Sequence, residues 1–125
     1  MTVVLNHTIV HAHDPEASAT FLASILARPS PGRFAMFHTV ALDNGVTLDF
    51  LGTGEVVLVE HYAFLVSEPE FDDILARITQ RGLPYWADPG RQRPGINRND
   101  GGRGLYWCDP DGHVLEIITR PYGSG

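Results

Sequence analysis

The sequence predicts an α+β protein built from two tandem β-α-β-β(-β) modules. Three observations carry this. Residues recur at a fixed offset, with His7 to His61, Pro15 to Pro69 and Glu16 to Glu70 each 54 apart. Two stretches, "ALDNGVTLDF" and "WCDPDGHVLEII", set a turn, Asp-Asn-Gly in the first and Asp-Pro-Asp-Gly in the second, between apolar, β-rich runs. Two further stretches carry Pro near their starts and apolar residues at helical spacing.

The elements follow in order. "TVVLNHTIVHA" alternates and is rich in β-branched residues, so it reads as a strand. "DPEASATFLASILA" offers Asp14 as N-cap, Pro15 at the first helical position, and Phe21, Leu22, Ile25 and Leu26 on one face. "RFAMFHTVALDNGVTLDFLGTG" holds two strands around a two-residue turn at Asp43, Asn44 and Gly45. After Gly54 the order restarts: "VVLVEHYAFLV" is a strand, "SEPEFDDILARITQRG" a helix ending at Gly82, and "GLYWCDPDGHVLEIIT" a second hairpin. At the hairpins Asp43 matches Asp109 at an offset of 66, while Gly45–Gly112, Leu48–Leu115 and Asp49–Glu116 give 67, as if one turn residue were added. The second copy thus carries about a dozen extra residues, within "ADPGRQRPGINRNDGG". Residues 1–125 form a single domain in this reading, with module one at 1–54 and module two at 55–125, because a unit this short needs its twin to bury its sheet.

Composition narrows the function classes. The chain is 43% hydrophobic and 19% charged, which argues for a packed core against disorder. A formal charge of -6 disfavours nucleic acid and anionic membrane as partners. No apolar run approaches the roughly 20 residues of a membrane-spanning helix. With Cys108 the sole cysteine and no secretory leader at the start, a reducing cytoplasm is expected. All nine basic residues are Arg, and Arg91, Arg93, Arg98 and Arg103 fall in the inserted segment, either a solvated loop or a set of forked donors for an anionic group.

Glu116 stands inside the apolar run "HVLEIIT", where an unpaired carboxylate is costly to bury. Superposing the modules supplies a partner. Each contributes a His on its first strand (His7, His61) and a carboxylate on its last (Asp49, Glu116), and such a set suits a divalent first-row ion with positions left open for substrate. A structural zinc site would instead use cysteine. Period-2 geometry puts Ile9, His11, Ala63 and Leu65 on the inward face with the two imidazoles. "HAHD" also suits an exposed strand end running into a helix cap, and His113 in the turn reads as structural. "DPDG" lacks the ligand spacing of a calcium loop.

The stretches "NHTIVHAHDPEASATFLASIL", "EHYAFLV" and "DPDGHVLEIIT" resemble the vicinal oxygen chelate superfamily, which includes glyoxalase I, extradiol dioxygenases, fosfomycin-resistance transferases and bleomycin-binding proteins. The resemblance spans nearly the whole chain. It implies two βαβββ modules, a curved mixed sheet around a metal cavity, and a divalent ion (Fe, Zn, Ni, Mn or Co) that chelates two neighbouring oxygens of a small-molecule substrate. The matching ligand positions are His7, His61 and Glu116, with Asp49 at the fourth ligand position of glyoxalase I, one methylene shorter than the Glu used there.

Tyr106 lies ten residues before Glu116, the spacing at which dioxygenases and fosfomycin transferases of the superfamily place a substrate-contacting Tyr. His38 shares parity with Val40, which the offset of 66 matches to Tyr106, and is the candidate acid or base beside Tyr106 and Glu116. His11, Asn97, Arg98, Asn99 and Arg103 complete the substrate-binding candidates.

Four activities follow from the resemblance. Glyoxalase-like lyase or isomerase chemistry is favoured by the four symmetric positions, although no glutathione site is evident. An extradiol-type Fe(II) dioxygenase would use His7, His61 and Glu116 with Tyr106 and Asn97 or Asn99. Fosfomycin transfer ranks below both, because Ile9 stands where that family has Thr and "NDGGRG" does not match its potassium loop. A metal-free binder of aromatic drugs, using Trp86, Trp107 and the Phe residues, is the alternative outside catalysis. Small relatives commonly draw the first His from one chain and the second His and Glu from another, so a homodimer is expected.

Overall fold

The computed structural model describes residues 2–125, in two units that divide between Leu58 and Val59. In the first, β1 (His7–Ala12) leads to α1 (Pro15–Ile25), then β2 (Gly32–Phe34), β3 (Phe37–Ala41) and β4 (Thr47–Gly52). Helix α1 starts where the sequence says it should. The Asp14 carboxylate accepts the Ala17 amide at 3.0 Å and Pro15 needs no donor at the first turn. The sheet runs β1-β4-β3-β2, with β1 parallel to β4 and the rest antiparallel. Its buried face carries Val10, Val40, Leu48 and Phe50, and α1 packs on these strands with Ser18, Ala19, Leu22, Ala23 and Ile25 buried. The apolar face of α1 is therefore shifted from the expected one, since Phe21 and Leu26 are only half-buried.

In the second unit β5 (His61–Leu65) precedes α2 (Glu68–Gln80), β6 (Gly104–Cys108) and β7 (Val114–Ile118), in the sheet order β5-β7-β6. A reciprocal capping box opens α2: Glu70 donates its amide to Ser67 Oγ at 3.2 Å, and the Ser67 amide reaches Glu70 Oε1 at 2.9 Å. Phe71, Ile74, Ile78, Leu105, Trp107, Leu115 and Ile117 are buried. Among the described residues no counterpart of β2 forms. At that edge Trp86 bridges Tyr106 and Asn97 bridges Gly104 as isolated pairs, because the inserted segment loops away between them.

The copies agree in register. His7 faces Thr47 and Ile9 faces Asp49, as His61 faces Val114 and Ala63 faces Glu116. One step earlier, the Thr47 amide donates to Asn6 O and the Val114 amide to Glu60 O. The strands start later than the alternating runs suggest, since residues 2–6 and 56–60 are not strand and expose Val3, Val4, Val56 and Leu58.

The hairpin turns correct the two-residue expectation. Leu42 pairs with Val46, closing a three-residue loop of Asp43, Asn44 and Gly45, with Gly45 at φ 83°. Asp109 pairs with His113 around Pro110, Asp111 and Gly112, with Gly112 at φ 89°. Each is a tight turn followed by a left-handed residue, where glycine has no Cβ to clash. Leu42, not Asp43, is thus the counterpart of Asp109, and the offset is 67 throughout the hairpins. The offset of 66 is a one-residue slip, and a slip of one inverts every side chain on a strand. Thr39 lies opposite Asp49 as Tyr106 lies opposite Glu116, so Thr39 and not Val40 corresponds to Tyr106. His38 faces Phe50 and shares the buried-face parity of Val40, away from the parity of Asp49.

Candidate functional site

In unit two the second sheet face gathers His61, Glu116 and Tyr106. Strand β7 runs between β5 and β6, so the Glu116 side chain has the β5 imidazole on one side and the β6 phenol on the other. His61 Nε2 lies 3.1 Å from Glu116 Oε1, and His61 Nδ1 lies 3.0 Å from Val114 O. A carbonyl oxygen can only accept, so Nδ1 carries a proton, and Nε2 faces the carboxylate oxygen either through a second proton, as an ion pair, or through a cation between them. Two lone pairs at that distance repel unless a proton or a cation lies between them. The Tyr106 ring stacks on His61 with centroids 6.0 Å apart and planes at 29°. Burial, then the hydrogen bond it donates to Glu116, then repulsion from that carboxylate all push the Tyr106 phenol well above its ordinary range. Tyr106 is therefore a neutral donor.

In unit one His7 is prepared in the same way. Its Nδ1 lies 2.7 Å from Asn6 Oδ1, an acceptor, which leaves Nε2 as the free lone pair. Asp49 is 7% exposed and its Oδ1 has no hydrogen-bond partner among the described residues, an arrangement that a protein seldom tolerates in a purely structural carboxylate. His11 follows the same parity and is exposed at the end of β1.

The donor chemistry fits a divalent ion. Two imidazoles have Nδ1 engaged by an oxygen, the outer contact that orients a metal-binding ring, and the Glu116 carboxylate lies against the Nε2 of one of them. Among the described residues no three His, Cys, Asp or Glu side chains come together as a ligand group. His7 and Asp49 belong to the first unit, and His61 and Glu116 to the second.

The inserted segment places its candidates differently. Asn97 is engaged in the loop itself, donating to Ala87 O at 2.8 Å and accepting the Asn99 amide at 3.1 Å. Arg98 and Asn99 are exposed at a short 3-10 turn. Arg103 bonds Glu68 at 2.7 Å and Asp72 at 2.8 Å and lies 4.3 Å from the Phe71 ring centroid, so it fastens α2 to β6. Hydrogen bonds from Thr119 and then Arg103 hold the Glu68 carboxyl below its usual range. Arg91 donates to Cys108 Sγ at 3.4 Å, and Cys108 shares the parity of Tyr106. Sequence reasoning did not single out Asn6, Thr39 or the contact between Arg91 and Cys108. Aligning the hairpins on their glycines finds Thr39, whereas nothing in the sequence signals the other two.

No family model matches the chain. A solved structure named Oxidase ChaP-H1 is 62% identical, covers 98% of this chain and 99% of its own, and superposes with a TM-score of 0.96. A glutathione transferase named FosA from Serratia marcescens is 29% identical over 119 residues, 90% of this chain and 78% of that protein. The fold also matches a glyoxalase/dioxygenase from Nostoc punctiforme, at a TM-score of 0.71 and 22% identity over 94% of this chain and 91% of that one. Paired modules in matching register, a His and a carboxylate at equivalent places in each, and these relatives together show that the chain belongs to the vicinal oxygen chelate superfamily and is one of its enzymes.

Proposed function

We propose that the protein is a metal-dependent oxidase that uses dioxygen on a small substrate presenting two adjacent oxygens. The single observation that supports this most is the approach of His61 Nε2 to Glu116 Oε1 with Nδ1 already committed, a half-built ligand set. His7, His61 and Glu116 are the proposed ligands, in the 2-His-1-carboxylate pattern associated with non-haem iron. A bound divalent ion would act as a Lewis acid toward the two oxygens and leave coordination positions open. Tyr106, held protonated, donates its one hydrogen bond to Glu116 and so would orient that carboxylate as a ligand. In a homodimer, one copy supplies His7 and the other His61 and Glu116.

Oxidation is weighed above glyoxalase-like isomerisation because the 62% identical relative is named an oxidase, whereas a lactoylglutathione lyase from Agrobacterium tumefaciens is 16% identical and shares the fold alone. Thiol transfer is the second reading, supported by the 29% identical FosA. Oxygen-electrode assays of iron-loaded protein with vicinal diols, catechols and hydroxyketones test the choice. Substrate-dependent oxygen uptake supports oxidation. Turnover that proceeds equally under argon, or that consumes glutathione, sinks it.

A further inference from the structure

We infer that His113 is a positioning residue for His61: its imidazole takes the Glu60 amide and so fixes the strand entry from which His61 reaches a metal ion. The role rests on the proposed reading of His61 as a ligand.

Three contacts lock two pairs of neighbouring residues together. The Val114 amide donates to Glu60 O at 2.9 Å, the Glu60 amide donates to His113 Nδ1 at 3.0 Å, and His61 Nδ1 donates to Val114 O at 3.0 Å. A ring nitrogen that accepts an amide proton has none of its own, so His113 carries its proton on Nε2. The Tyr62 ring meets this imidazole edge-on, with centroids 6.0 Å apart and planes at 80°, and His113 is 1% exposed. Packing and the hydrogen bond together fix the plane of the ring.

The place of the contact gives it a use. Strand β5 begins at His61, and residues 56–60 before it are not strand and expose Val56, Leu58 and Val59. Among the described residues, the bond from Val114 to Glu60 is therefore the outermost backbone rung between β5 and β7. A terminal rung frays when nothing holds the chain beyond it. His113 holds the chain there, through the amide of Glu60 itself. His61 needs that rung closed, because its Nδ1 is oriented by the backbone of the facing strand.

The first unit solves the same problem differently. Asn6 stands in the place of Glu60 and holds His7 Nδ1 by its own side chain at 2.7 Å. Val46 stands in the place of His113, and Leu42 in that of Asp109. The second hairpin has thus exchanged two apolar residues for a buried polar pair, Asp109 and His113, in which the His113 amide donates to Asp109 Oδ1 at 2.9 Å. Burying such groups is costly unless they are bonded, so the exchange needs a reason. An imidazole held by its neighbour's side chain carries its orientation with it, whereas one held by a facing carbonyl depends on the facing strand staying in place.

Nitrogen–proton NMR of labelled, metal-free protein tests the role first. A coupling across the hydrogen bond joins the Glu60 amide nitrogen to His113 Nδ1, and His61 Nδ1–H gives a resolved signal because its bond to Val114 O protects it from exchange with water. The His61 signal disappears in His113→Val, which carries the first unit's residue, and in His113→Leu, which fills the space of the imidazole without an acceptor. His113→Asn, whose side-chain oxygen can take the same amide, restores it. Divalent-ion affinity, read against a chromogenic chelator, falls about tenfold in His113→Val and His113→Leu and recovers in His113→Asn, the scale of losing an outer contact to a ligand. Ile78→Val, a buried change on α2, lowers the melting temperature and moves neither readout. Absence of the coupling in the wild type, equal behaviour of His113→Leu and His113→Asn, or loss of the His61 signal in Ile78→Val overturns the role. If the wild type binds no divalent ion while the NMR signals behave as stated, the reading of His61 as a ligand fails and its positioning by His113 stands.

Discussion

His61 offers Nε2 to Glu116 Oε1 across 3.1 Å while its Nδ1 is already held by the Val114 carbonyl. This pair makes a direct demand on metal binding. His61→Ala or Glu116→Gln should lower affinity for a divalent ion by more than about a hundredfold, and Asn6→Ala, which only frees the Nδ1 of His7, by about tenfold. Affinity should fall on acidification, since protons compete for the imidazoles and the carboxylate. Competition titrations with a chromogenic chelator read all of these, and unchanged affinity in His61→Ala would remove the metal site.

Tyr106 gives a pH signature at the alkaline end. Its phenol is raised above the ordinary tyrosine range by burial first and by Glu116 second. A raised folded value means that the native state holds the proton more tightly than the unfolded chain. The contribution to stability is therefore complete below the unfolded value, about pH 10, and is lost as pH climbs from there toward the folded value. Tyr62 is raised too, mainly by burial, and adds to the loss. Denaturant melts of Tyr106→Phe should lose less stability than the wild type between pH 10 and strongly alkaline conditions, with the sign set by the missing phenol. Parallel pH curves for the two proteins would contradict the placement of Tyr106 beside Glu116.

The arginines of the inserted segment should separate by role. Arg103 joins Glu68, Asp72 and Phe71, so Arg103→Ala should lower the melting temperature. Arg91 reaches only as far as Cys108, beside the Tyr106 face, so Arg91→Ala should change stability by less than about 0.5 kcal/mol and weaken ligands that carry a carboxylate. Metal affinity should stay constant in both. The assignment of Arg91 fails if carboxylate and neutral ligands lose affinity equally.

Strand and helix placement was legible because it rests on local chemistry: Asp14 and Ser67 as caps, Pro15 and Pro69 in first turns, and Gly45 and Gly112 at left-handed positions. The equivalence of His7 with His61 and of Asp49 with Glu116 was legible for the same reason, as the register of β1 on β4 repeats that of β5 on β7. Face assignment on β3 was not. Aspartates at the two turns look equivalent by type, but Asp43 sits inside its loop while Asp109 sits before its own. That single residue moved His38 to the wrong face. Side-chain commitments across the chain, such as Asn97 to Ala87 and Arg103 to α2, leave no local pattern, since either residue would look the same in a recognition loop.

Assembly is the remaining consequence of how apolar surface is distributed. Ile9 and Leu65, 41% and 60% exposed, stand at the second faces of the two sheets, and the segments before β1 and β5 expose Val3, Val4, Val56 and Leu58. Exposed apolar residues gathered on sheet faces and leading arms mark an interaction surface, and each Å² they bury contributes about 25 cal/mol. A second copy of the chain is the expected partner, so sedimentation equilibrium at micromolar concentration should give a homodimer. Leu65→Glu should shift it toward monomer. Complementation then tells how the ligands are shared. His7→Ala and His61→Ala each abolish tight metal binding alone. If one subunit gives His7 and the other gives His61 and Glu116, mixing the two variants under subunit exchange rebuilds an intact site in every mixed dimer. If each chain completes its own site, no mixture recovers binding, and recovery of metal affinity in the mixture is therefore the measurement that decides.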